Sequence, residues 1–177
     1  LGQIYVGTLR IVDVTNPTTL PTIGTITTPT AFTHNAWVTD DDRLLITTDE
    51  TSAPVGPLGI YDITNPAAPV LRSTWNAGGS NIVHNVFGIG RTLFVVHYSA
   101  GLQVVDVSNP AAPRRIAGYD TSATTSGFNG DWGAYVYLDS GVVLASDISN
   151  GLFCLRIDCG HLNRFGTGTA GTGGKIP

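Results

Sequence analysis

Apolar and polar positions along this chain fall into short blocks. The apolar runs Leu44-Leu-Ile-Thr-Thr-Asp49, Leu93-Phe-Val-Val-His97 and Val142-Val-Leu-Ala-Ser-Asp147 alternate with β-branched runs such as Leu102-Gln-Val-Val-Asp106. Each block is bounded by clusters of Gly, Pro, Asn or Asp, the pattern of buried strands between tight turns. No segment keeps the helical period over the roughly 11 residues that a helix requires. Gly and Pro also punctuate the chain too often for one. The pattern predicts an all-β protein.

The blocks repeat. Leu9-Arg-Ile-Val-Asp13-Val-Thr-Asn16-Pro17 recurs as Gly59-Ile-Tyr-Asp62-Ile-Thr-Asn65-Pro66 and as Leu102-Gln-Val-Val-Asp106-Val-Ser-Asn109-Pro110. A decayed copy starts at Gly151-Leu-Phe-Cys-Leu155. A second unit alternates with the first: Thr33-His34-Asn35-Ala-Trp37 returns as Val83-His84-Asn85-Val-Phe87, with a weaker echo at Asp131-Trp132-Gly133-Ala-Tyr135. Together they define a four-strand module of roughly 44 to 50 residues, the size of a propeller blade. Strand one is His-Asn-x-aromatic, strand two the apolar run, strand three the run ending in Asp, and strand four follows Pro-Ala-Ala-Pro.

The expected fold is a β-propeller of four-stranded antiparallel blades, about four of them visible, the first and last incomplete. Its domain covers residues 1–160. Residues 161–177, rich in Gly and Thr, read as a flexible tail or linker. Counting strands gives three, four, four and three, so a larger ring is expected, with the remaining blades elsewhere in a longer protein or supplied by an assembly. Val104, Val105, Ile60, Ile11, Val12, Phe94, Val95 and Trp37 are the expected core between blades.

The Asp-x-Ser/Thr-Asn-Pro signature forms the corner between strands three and four. Asp13, Asp62 and Asp106 cap backbone amides there, as do Asn16, Asn65 and Asn109, while the proline keeps the preceding Asn out of helix.

The repeated Leu-x-Val-Val-Asp-Val-Ser-Asn-Pro-Ala-Ala-Pro resembles the LVIVD repeat. Together with Gly-Asp-Trp-Gly-Ala-Tyr, it is similar to choice-of-anchor B family proteins from about Ile4 to Leu155. One departure is Asp131-Trp132, where the family pattern has Ala-Trp. The resemblance implies a propeller on an exported, bacterial-type protein tethered by a variable C-terminal anchor, and no defined catalytic activity.

Composition narrows the partners. Nine Lys and Arg against 13 Asp and Glu leave no basic surface for phosphates, which excludes nucleic acid. No apolar run reaches the roughly 18 residues of a membrane span. With Leu1 at its start and no Met, the chain reads as a processed or partial piece of a longer protein. Cys154 and Cys159 are too few for a disulfide scaffold and fit no zinc spacing. Free thiols and a turn-closing bridge both stay open.

Positional equivalence singles out a candidate site. His34, His84 and Trp132 begin strand one in successive blades; Asp49, His97 and Asp147 end strand two. On one face near the axis, these six would bind a divalent metal through imidazole or hold a polar ligand. The competing role is structural, with His and Asp satisfying loop backbone. The expected function is a non-catalytic extracytoplasmic binding or assembly module; the alternative is a propeller enzyme with a metal-assisted hydrolytic site on the His-bearing face.

Overall fold

Residues 7–157 are described by the computed structural model, and among them every regular element is a strand. β1 (Thr8–Val12) and β2 (Thr22–Thr27) form a two-stranded antiparallel sheet. The next sheet is the meander β3 (Thr33–Val38), β4 (Leu44–Asp49), β5 (Leu58–Asp62) and β6 (Val70–Trp75). It is followed by β7 (Val83–Ile89), β8 (Thr92–His97), β9 (Gly101–Asp106) and β10 (Arg114–Tyr119). A three-stranded sheet of β11 (Asp131–Tyr135), β12 (Val142–Asp147) and β13 (Gly151–Arg156) closes the series.

Spatial order equals chain order in every sheet, so the last three each begin with their strand-one edge. Those edges meet: β3 lies against β7, and β7 against β11. Sheets that share their inner edges and stack face to face are propeller blades. The fold is therefore an all-β propeller type with four-stranded antiparallel blades.

The first blade shows two strands among the described residues, not three; its expected strand two falls in residues 1–6, outside them. The 161–177 tail and Cys159 also lie outside the described residues. Cys154, on β13, is a half-buried free thiol.

Alternation along each strand sends apolar side chains to both faces, and each interface between blades becomes a core. Leu44, Ile46, Leu58 and Ile60 pack on Val83, Val86, Leu93 and Val95 of the next blade. One blade further, Phe94, Val96, Leu102 and Val104 pack on Val143, Ala145, Phe153 and Leu155. Of the expected core, Val104, Val105, Ile60, Phe94 and Val95 are buried. Ile11, Val12 and Trp37 are only half-buried. The first two stand in the two-stranded sheet, and Trp37 packs against the core from its margin, its ring stacked on Tyr137 at 6.0 Å.

The corners are built from Asx turns. Asp13, Asp62 and Asp106 each accept the amide two residues on, at 2.8, 3.0 and 2.8 Å. Asn16, Asn65 and Asn109 do the same at 3.0, 3.2 and 3.2 Å.

Candidate functional site

Each strand one carries a β-bulge at its start. The register slips between Thr33 and Asn35, between Val83 and Val86, and between Asp131 and Gly133. The residues at these slips are His34, His84 with Asn85, and Trp132. A bulge releases its residue from ladder alternation and re-aims the side chain. Here it turns the same position of three blades toward the common inner edge. The rings follow one another there, His34 on His84 at 4.5 Å and His84 on Trp132 at 4.3 Å between centroids.

Two further residues complete the cluster. Glu50 places a carboxylate oxygen 2.8 Å from His34 Nδ1 and the other 3.9 Å from His84 Nε2. The Tyr98 hydroxyl donates to that second oxygen, and its ring lies 4.9 Å from that of His84. Glu50 and Tyr98 directly follow β4 and β8, in equivalent positions. His84 Nδ1 lies 2.6 Å from the Trp132 carbonyl. Asn85 Nδ2 lies 2.9 Å from the same nitrogen, but the shorter contact is to an oxygen that only accepts; it assigns the proton to Nδ1 and leaves the Nε2 lone pair toward Glu50.

The cluster is buried at its base and open at its rim. His84 and Tyr98 are each 2% exposed, whereas Trp132 and Phe128 are half-exposed. Phe128 sits edge-on to Tyr98 at 5.5 Å. Burial pushes the Glu50 carboxyl up, but hydrogen bonds from His34 and Tyr98 outweigh it and hold the pKa below the usual range. Burial lowers the His84 pKa, so the ring favours its neutral form.

The structure brings together His34, His84 and Trp132 but takes Asp49, His97 and Asp147 elsewhere. These three are in register with the residues just before the bulges, Thr33, Val83 and Asp131. Each contacts the outer strand, or the segment after it, of the preceding blade. Asp49 accepts the Thr30 amide at 2.5 Å and its hydroxyl at 2.9 Å. Asp147 accepts the Thr121 hydroxyl at 2.7 Å. His97 meets the Trp75 ring edge-on at 5.6 Å, and burial drives its pKa down to about 3. The three residues are latches between blades. Sequence reasoning missed Glu50 and Tyr98 because it aligned the last strand-two residue with the His column. The bulge displaces that column by one residue, and the adjacent pairs Asp49-Glu50 and His97-Tyr98 were the signal available.

Asp131 is a separate feature. It is fully buried, and neither carboxylate oxygen makes a well-formed hydrogen bond. Burial and the nearby Asp147 charge push its pKa up to about 8.

The blades, their corners and the repeated bulges define a propeller built on one repeating module. The LVIVD repeat family model matches two segments of the chain, residues 4–28 and 89–121. No curated protein matches the chain. Among solved structures, it resembles the periplasmic gluconolactonase PpgL of Pseudomonas aeruginosa, at 14% identity and a TM-score of 0.41. The likeness covers 78% of this chain and 57% of that one, so the chain spans little more than half of that protein's length. No helix among the described residues is long and apolar enough to cross a membrane.

Proposed function

We propose that this chain is a non-catalytic extracytoplasmic binding module whose recognition surface is the inner-edge end of blades two to four. One observation carries the reading: the half-exposed Trp132 ring packs at a tilt on a buried, hydrogen-bonded base. His84 anchors the Trp132 carbonyl, Asn85 Nδ2 donates to the same oxygen at 3.1 Å, and Phe128 extends the apolar rim. A large aromatic surface held rigid before contact loses little entropy on binding, which suits it to recognition. The export expectation rests on the resemblance of the repeats to choice-of-anchor B proteins.

A hydrolytic propeller is the second reading, favoured by the convergence of His34, Glu50 and His84. Two assays separate them. Fluorescence titration with cell-envelope polysaccharides and surface-protein fragments should give a saturable change that Trp132→Ala abolishes without lowering Tm. Chromogenic ester, lactone and phosphoester substrates, with zinc added, should show no turnover above the Glu50→Gln background. Turnover lost in Glu50→Gln, with no saturable binding, would establish the enzyme instead.

A further inference from the structure

We infer that His34, Glu50 and His84 form a site for one divalent transition-metal ion at the inner edge of blades two and three. One donor atom from each of the three lies within 4.8 Å of the others. Donors around one zinc-sized ion, each about 2.0 to 2.2 Å from it, stand roughly 3 Å apart. The Glu50 carboxylate spans the two imidazoles, one oxygen 2.8 Å from His34 Nδ1 and the other 3.9 Å from His84 Nε2, so an ion between the rings meets a carboxylate oxygen on either side. Small rotamer adjustments bring the three donors to that spacing, with coordination replacing the His34–Glu50 contact.

A second observation concerns how the ligands are oriented. The Trp132 carbonyl fixes the proton on His84 Nδ1 and leaves the Nε2 lone pair facing Glu50. Metal-ligating histidines are oriented in this way, with the distal ring nitrogen donating to a carbonyl or carboxylate. The Tyr98 hydroxyl does the corresponding work for Glu50 by holding one of its oxygens. Both supports come from the blade after the one that carries His34 and Glu50, or from the blade beyond it, so the ligand set exists only when the blades are packed.

Two imidazoles and one carboxylate select zinc or another borderline divalent ion over calcium or magnesium, which demand oxygen donors. Three protein ligands leave the ion at least one open position. His34 has the more exposed ring of the two, with 15% of its side chain accessible, and offers the path inward. The inference deepens the binding reading, since the ion would sit beneath the Trp132 platform at the same site.

The test is equilibrium dialysis of the chelator-stripped chain against Zn2+, with metal analysis, followed by Co2+ spectroscopy. One ion per chain is expected, with Co2+ giving the ligand-field bands of a nitrogen-containing site. Glu50→Gln and His34→Ala should each weaken zinc binding by at least tenfold while keeping the wild-type circular dichroism. His97→Phe, which alters the buried histidine outside the cluster, should leave the stoichiometry at one. Absence of stoichiometric zinc, zinc retained by both variants, or zinc displaced by equimolar Ca2+ would each overturn the site. Ligand titration of the stripped protein at Trp132 tests the binding reading separately, so either idea fails without the other.

Discussion

Two buried ionisable side chains give stability a pH dependence of opposite sign. Asp131 has a pKa of about 8 in the folded chain against 3.8 for an ordinary Asp. Between those values the folded state holds a proton that the unfolded state releases, so stability falls as pH rises. His97 is the reverse: with a folded pKa of about 3 against 6.5, it lets the unfolded state take up the extra proton, and stability rises with pH across that window. The two slopes oppose each other where the windows overlap. Above pH 6.5 only the Asp131 slope remains. Asp131→Asn is therefore expected to stabilise the chain at pH 8 by a few kcal/mol, because Asn has no proton for the unfolded state to release across that range. The gain should shrink toward pH 4. Urea melts at the two pH values check this, and an equal effect at both would contradict a protonated Asp131.

At the scale of the element, the bulged start of strand one is the device that builds the site, and its geometry depends on close backbone approach. Gly130 precedes the bulge of β11 at a φ of 126°, and a Cβ there would stand 1.9 Å from the Tyr98 carbonyl oxygen. That approach lets the Asp131 amide donate to Tyr98 O at 2.9 Å and the Ile148 amide to Gly130 O at 2.9 Å. The first bond ties the start of β11 to Tyr98, and the second ties it to the end of β12. Gly130→Ala should cost roughly 2–4 kcal/mol, because an L side chain meets both the wrong φ and a backbone atom. It should also redshift Trp132 emission as the ring leaves Tyr98. A variant with unchanged stability and emission would show that the turn relaxes without moving the bulge.

Across the whole molecule, equivalent positions meet different fates according to which neighbours are present. Leu58 and Leu102 are 0% and 2% exposed because each faces the following blade; the matching Leu152 is 64% exposed. Leu102→Ala should cost about 2–5 kcal/mol, as expected for a truncated core leucine. Leu152→Ala should stay within about 0.5 kcal/mol in the isolated chain, as for a surface change. Denaturant melts of the two variants measure the contrast. A large loss at Leu152 would show that face covered in solution. On this face Leu152 stands beside the half-buried Leu144 and Cys154.

The sequence by itself determined the module. Alternating apolar runs dictate strands, Asp-x-Ser/Thr-Asn-Pro dictates the corners through side chains bonding to amides two residues away, and the repeat dictates that every blade is built alike. These are local consequences, legible because each depends on residues adjacent in the chain. His34, His84 and Trp132 were legible as one column for the same reason. Tertiary structure alone decided which neighbouring column they meet. One bulged residue per strand shifts the pairing, so Glu50 and Tyr98 enter the cluster while Asp49, His97 and Asp147 turn to latch the preceding blade. A pattern of period two carries no mark of where its ladder slips, because the slip is set by hydrogen bonds to another strand and by the packing of the blade beside it.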